Sequence, residues 1–319
     1  LESLLGRGAT GLTWAAHHEA LDVSVVVKLL DPAKSWGSSK IAERFLAEGK
    51  ALARLQHPHV VRVMTAGQEE KSTYLILERL VGGDLRARLR QETPELAEAV
   101  EWSACLAEGL AAIHGAGLVH RDVKPENVIF DGEGQPKLVD LGIAFEEGER
   151  DQATVQGTPA YMSPEAALGR PLDGRSDLYS LGVVLYELVA NRWPYNAPEP
   201  RLLLRKHVEA DLDTEPLSAA GASRALIGFL KRALAKDPED RPPDGATFAQ
   251  ELRRAMATKT VRRRTKGRRR SSSGNRARMT SAGRHRVPRQ QSSSGSGLWV
   301  ILLVVGAVIA VAATLIASN

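Results

Sequence analysis

Apolar positions recur at two different spacings along the chain. Val23–Leu30 and residues 74–80 are β-branched or apolar runs bounded by polar and turn residues, the pattern of strands, and residues 12–16 read as another. Residues 41–55 and 95–114 read as helices. In the second of these Leu96, Ala99, Val100, Leu106, Ala107, Leu110 and Ile113 fall on one face, as a helix packed on one side requires. Strands therefore dominate early and helices later. The chain opens without Met and runs from Leu1 straight into a glycine-rich turn, so the first strand is expected to begin before Leu1.

Beyond residue 257 this pattern stops. Residues 258–297 consist largely of Arg, Ser and Gly, which bury too little surface to offset chain entropy, and are read as a disordered linker. Residues 298–317 follow, with Thr314 their only polar side chain. At about 1.5 Å per residue they span the roughly 30 Å hydrocarbon layer, and they are read as a transmembrane helix.

Charge sharpens this division. The linker holds 13 Lys and Arg and no acid, which leaves 30 basic residues against all 38 acidic ones in residues 1–257. The net +5 of the whole chain thus combines a body of −8 with a tail of +13. By the positive-inside bias the body faces the cytoplasm, which makes this a single-pass protein of the cell membrane. Arg284, Arg286 and Arg289 are nearest the membrane, where each gains about 1 kcal/mol from anionic lipid. The tract has no aromatic residue on which a base could stack, so nucleic acid is not an expected partner. The single cysteine, Cys105, forms no internal disulfide, which excludes a stapled secreted scaffold.

Candidate chemistry concentrates in HRDVKPEN, residues 120–127, where Asp122 lies two positions before Lys124 and five before Asn127. Phosphoryl transfer needs such a set: a carboxylate to orient the attacking hydroxyl, a cation to offset phosphate charge, and an oxygen ligand for a metal. Asp140, in DLG, is a second hard oxygen ligand suited to Mg²⁺. Upstream, Gly6, Gly8 and Gly11 fit GxGxxG, in which residues without Cβ let backbone amides approach phosphate oxygens. Alone, that pattern fits a dinucleotide-binding turn or a plain hairpin equally well. The dinucleotide turn needs a helix directly after it, and here strands follow.

These motifs, in this order, resemble the protein kinase family, specifically bacterial Ser/Thr kinases of eukaryotic type, over residues 1–257. The resemblance implies an α+β bilobal fold, with a small β-rich lobe over 1–80 and a larger helical lobe over 81–257, ahead of the linker and membrane helix. It implies ATP with Mg²⁺ or Mn²⁺, and Ser or Thr hydroxyls of proteins as acceptors, because Lys124 marks the Ser/Thr type. Asp122 would orient the hydroxyl, Lys124 and Lys28 would offset phosphate charge, and Asn127 and Asp140 would hold the metal. Lys28 ends VVVK, and Glu48 is expected to be its ion-pair partner. Gly49, costing about 1 kcal/mol against alanine inside a helix, is expected to soften that helix.

By the same resemblance Thr13, in place of a usual valine, Val26, Leu77, Ile129 and Val139 enclose adenine, and the backbone of Glu78 to Leu80 meets its edge. Thr154 and Thr158 are the phosphosite candidates of the activation segment, with Arg121 to receive the phosphate. Leu141 replaces the usual phenylalanine and would stack on His120, Leu52 and Val63. Glu165 and Arg241 would form a buried structural pair, and Asp177 would brace the catalytic loop. Expected partners are protein substrates, membrane lipid and a second copy for autophosphorylation, with the serine triplets at 271–273 and 292–294 as further acceptors. The alternative is a membrane-held pseudokinase scaffold that binds nucleotide without efficient transfer; the complete ligand set argues against it.

Overall fold

Five strands open the structure, a computed structural model that describes residues 1–8, 11–31, 39–69, 72–140 and 158–268. They are β1 (Ser3–Arg7), β2 (Gly11–His18), β3 (Val23–Leu30) and, after helix α1 (Ser39–Arg54), β4 (Val63–Glu69) and β5 (Ser72–Glu78). All pair antiparallel in the order β1-β2-β3-β5-β4. The β-branched β3 is the central strand, with Val25, Val27, Leu29 and Leu30 buried. Register sets Thr13 opposite Lys28, Ala15 opposite Val26, Val26 opposite Leu77 and Lys28 opposite Leu75. Side chains alternate between faces along a strand, so these residues share one face of the sheet.

Helix α1 buries Ala42, Phe45 and Leu52 and packs on β4 and β5. At Gly49 the structure corrects the expectation of a soft point. A Cβ there would stand 2.3 Å from Cδ2 of Leu75 and 3.2 Å from Cβ of Ala66. The glycine lets the helix approach the sheet closely.

The rest of the chain is mainly helical: α2 (Leu85–Gln91), α3 (Leu96–Gly115), the hairpin of β6 (Val128–Phe130) and β7 (Pro136–Leu138), α4 (Pro164–Ala167), α5 (Gly174–Ala190), α6 (Pro200–Glu209), α7 (Glu215–Ala219), α8 (Arg224–Ala233) and α9 (Gly245–Arg268). Reciprocal bonds between Glu95 and Glu98 cap α3 at its start, satisfying amides that have no partner in the first turn. Its buried face, including Leu106, Leu110 and Ile113, packs against Leu178, Leu181 and Leu185 of α5. Each fully buried side chain of this kind contributes about 1.5–3 kcal/mol. Helix α5 starts on the Asp173 side chain and stops at Asn191, whose backbone is left-handed, as a helix C-terminus favours.

The chain divides into Leu1–Lys259 and Thr260–Asn319; of the second unit only the end of α9 is described. That helix runs on past residue 257 to Arg268, so its end overlaps the tract read as linker. Among the described residues no helix is long and apolar enough to cross a membrane. Residues 298–317, Leu141, Thr154 and both serine triplets lie outside the described residues.

Candidate active site

The loop between α3 and β6 carries the HRDVKPEN string, and it is braced from α5. Asp177, 1% exposed, accepts the His120 amide on Oδ2 and the Arg121 amide on Oδ1, each at 2.8 Å, and His114 Nε2 lies 2.8 Å from Oδ2. These bonds hold Arg121 at φ +67°, a left-handed conformation that costs a residue with a side chain about 1–3 kcal/mol. Asp140 is a second such residue, at φ +55°. His120 is buried, which lowers its pKa. As a neutral ring it donates Nε2–H to the Val139 carbonyl at 3.1 Å, while Nδ1 faces the Asp122 amide at 3.4 Å.

Within the loop Asp122 is pinned through one oxygen. Lys124 Nζ donates to its Oδ2 at 2.7 Å, and Asn127 Nδ2 donates to the same oxygen and to the Asp122 carbonyl, both at 2.8 Å. Both partners of that Nδ2 are acceptors, so the amide's orientation is fixed and its Oδ1 is turned away from Asp122. The Val139 amide donates to the Asn127 carbonyl at 2.9 Å, which brings Asp140 beside the loop. Across from it Lys28 of β3, 6% exposed, places Nζ 3.0 Å from Asp140 Oδ1. Lys28, Asp122, Asn127 and Asp140 thus come together, joined in two bonded pairs.

Glu48 departs from its expected role. Among the described residues Lys28 makes its ion pair with Asp140 and not with Glu48. Burial pushes the Glu48 carboxyl up to about 7, while Arg121 and Arg44 pull it down. The buried ammonium of Lys28 is compensated by the carboxylate of Asp140, while the positive charges acting on Glu48 are those of Arg121 and Arg44.

The residues expected around adenine are carried by the sheet and the β6–β7 hairpin. Thr13, Val26, Leu77, Ile129 and Val139 are all half-buried, in contrast to the fully buried core around them. Glu78 is already engaged on two sides. Its amide donates to the Arg62 carbonyl at 3.0 Å, and its carboxylate accepts from the Arg62 amide and from Lys137 Nζ, both at 2.8 Å. Of the Glu78 backbone groups, the amide is thus already bonded to Arg62.

In the glycine turn Gly8 and Gly11 close a hairpin, with N–H to carbonyl distances of 2.9 and 3.3 Å. A Cβ on Gly11 would lie 1.8 Å from the Leu29 carbonyl oxygen, so only glycine fits there. Gly6 has open space where a Cβ would be.

Past the segment outside the description, the Thr158 carbonyl accepts the Tyr161 amide at 3.0 Å. Glu165 and Arg241 form two bonds of 2.8 Å, with Ser176 Oγ donating to Glu165 at 2.6 Å. Burial raises the Glu165 pKa, but Arg241 and Ser176 outweigh it and hold the carboxyl below its ordinary value.

Two clusters escape the sequence reading. Arg86, Glu126, Tyr161, Glu187 and Trp193 form one network beside the catalytic loop. Only Glu126, inside KPEN, carried a local signal; the rest meet through long-range packing. Elsewhere, ligand atoms of His59, Cys105 and Glu108 lie within 4.8 Å of one another. There the Arg253 guanidinium binds Glu101 and Glu108 and lies 4.0 Å from the cysteine sulfur. Burial, with Glu101 adding to it, pushes the Cys105 thiol up to about 11. Arg253 thus joins α9 to α3 through Glu101 and Glu108.

The residues fit a nucleotide-bound metal. Asp140 and Asn127 Oδ1 offer hard oxygens, and Lys28 stands beside them with a positive charge. The family model of the protein kinase domain matches residues 1–256. Serine/threonine-protein kinase PkaB of Streptomyces coelicolor is 39% identical over 252 residues, covering 75% of this chain and 58% of the relative. Serine/threonine-protein kinase pkn3 of Myxococcus xanthus is 36% identical over 267 residues, covering 79% of this chain and 49% of the relative. A probable serine/threonine-protein kinase PknB of Corynebacterium glutamicum is 33% identical over 276 residues, covering 80% and 41%. The chain thus spans about half the length of these curated relatives.

Proposed function

Because the chain belongs to the protein kinase family, we propose that it transfers the γ-phosphate of ATP to serine and threonine hydroxyls of proteins. The observation that carries this reading is the meeting of the Lys28–Asp140 pair with the Asp122–Lys124–Asn127 set. Among the described residues both side-chain donors to Asp122 fall on Oδ2. Oδ1 is left to accept the acceptor hydroxyl's hydrogen and to aim its oxygen at phosphorus. Lys124 neutralises charge on the moving phosphoryl group, and Asn127 and Asp140 hold Mg²⁺. The metal supplies Lewis-acid stabilisation of the phosphate oxygens when bound. Lys28 binds the phosphates of the nucleotide, and Glu48 then takes over from Asp140 as its ionic partner. Thr13, Val26, Leu77 and Ile129 enclose the adenine.

The same proposal includes anchoring by residues 298–317, attraction of the basic linker to anionic lipid, a cytoplasmic kinase body and autophosphorylation between copies at Thr154 or Thr158. One experiment reads transfer, self-labelling and anchoring: the full chain, its Asp122→Asn variant and a chain ending at 297, each mixed with anionic vesicles, labelled ATP and a basic acceptor protein. The full chain labels both itself and the acceptor and floats with the vesicles. Asp122→Asn floats but transfers nothing, and the shortened chain transfers but stays behind in high salt. Equal labelling by the full chain and Asp122→Asn overturns the kinase reading. Flotation of the shortened chain in high salt overturns the anchor.

A further inference from the structure

The catalytic loop presents an acid that no step above uses. Glu126 lies four residues after Asp122 and its side chain is 44% exposed. Behind it stands Glu187 of α5, 9% exposed. Two carboxylates close enough to share one guanidinium, one of them in the catalytic loop, form an attractive pocket for a basic side chain. In this chain the pocket is already filled. Arg86 of α2, 16% exposed, donates Nε to Glu126 Oε1 and Nη1 to Glu187 Oε1, both at 2.8 Å, and Nη2 to Glu187 Oε2 at 3.3 Å.

A phenol and an indole complete the enclosure. Tyr161 donates its hydroxyl to Glu187 Oε2 at 2.5 Å, and that hydroxyl also meets Arg86 Nη2 and accepts Trp193 Nε1–H at 3.0 Å. Tyr161 lies two residues before Ser163, in the segment between the catalytic loop and the Glu165–Arg241 pair. Trp193 is 40% exposed. The cluster therefore reaches solvent through Glu126 and Trp193.

We propose that Arg86 acts as a built-in occupant of an acidic substrate pocket, so that this chain selects acceptors without requiring a basic residue beside the Ser or Thr. The proposal rests on the kinase reading above for the meaning of "acceptor", but it concerns which peptide the surface holds. With Arg86 in place the two carboxylates are shared by one guanidinium whose planar fork satisfies both. Without it they form a doubly negative pocket beside the reacting loop, and a substrate arginine is the side chain that best restores the lost bonds.

The test is peptide binding to the full chain, read by fluorescence anisotropy. It uses a serine peptide flanked by arginines and the same peptide with alanines, at low and at high salt. Wild-type chain binds the two within about threefold of each other once salt screens long-range attraction, over a Debye length of about 10 Å or less. Arg86→Ala and Arg86→Gln bind the arginine peptide at least tenfold tighter than wild type does and leave the alanine peptide unchanged. The second variant keeps a hydrogen-bond donor and guards against misfolding, and the melting temperature of each is recorded. Adding Glu126→Gln to either variant removes the gain.

Wild-type chain that already prefers the arginine peptide tenfold, folded Arg86 variants with unchanged preference, or a gain that survives Glu126→Gln would each overturn the proposal. A failure of the kinase reading would show separately, as absence of phosphate transfer from wild-type chain to any peptide, while the binding result still decides the role of Arg86.

Discussion

Lys28 is paired with Asp140, and the acid whose charge burial disfavours is Glu48. In the described state Asp140 holds the ammonium at 3.0 Å, while the Glu48 carboxyl stands at about 7 against an ordinary 4.5, chiefly because burial disfavours its charge. Between those two values the folded chain keeps a proton that the unfolded chain releases. The stability from this group is therefore fully present below about pH 4.5 and is lost as pH rises through about 7. Glu48→Gln cannot ionise, so thermal unfolding from pH 5 to pH 8 should show wild type losing ground against the variant. A constant difference in melting temperature across that range would contradict the assignment. If Glu48 also replaces Asp140 as the partner of Lys28 during turnover, the same variant loses most of its transfer rate while remaining folded.

At the scale of elements, α1 is the piece whose packing most changes what its sequence implies. Propensity alone makes Gly49→Ala a stabilising change of about 1 kcal/mol. The close approach of Gly49 to Leu75 and Ala66 reverses that sign, since an added methyl in a filled core costs about 1–3 kcal/mol. Urea unfolding of Gly49→Ala should give a lower midpoint than wild type, and a higher midpoint would restore the view of a loose helix. Strand β3 was legible because a β-branched run between turn residues has one stable outcome, and α3 because its apolar stripe has a helical period. Their ends were less legible. Strand β5 starts at Ser72 and ends at Glu78, because hydrogen bonds to β3 and β4, and not apolar content, decide where a strand stops.

For the whole molecule, the order of motifs along the chain carried most of the information. Asp122, Lys124 and Asn127 were readable because one short loop contains them, and local spacing is preserved when a chain folds. Asp140 and Lys28 needed the resemblance, since 112 positions separate them. The pairing of Lys28 with Asp140 was not readable, because it depends on which carboxylate the folded backbone brings to a lysine 112 positions away. Arg86 was missed for a similar reason: its partners Glu126 and Glu187 lie 40 and 101 positions away. The split of charge, −8 in residues 1–257 against +13 in 258–297, was fully legible because counting needs no fold.

The central claim is that Lys28, Asp122, Asn127 and Asp140 enclose one magnesium nucleotide. An acyl-phosphate derivative of ATP that transfers its acyl group to neighbouring lysines tests this most directly, with the labelled sites mapped by peptide mass spectrometry on the full chain. The account predicts labelling at Lys28 and Lys124 above all other lysines, suppression of both by excess ATP with Mg²⁺, and loss of that suppression in Asp140→Asn. Labelling spread over surface lysines, or labelling of Lys28 that excess ATP with Mg²⁺ leaves unchanged, would contradict it.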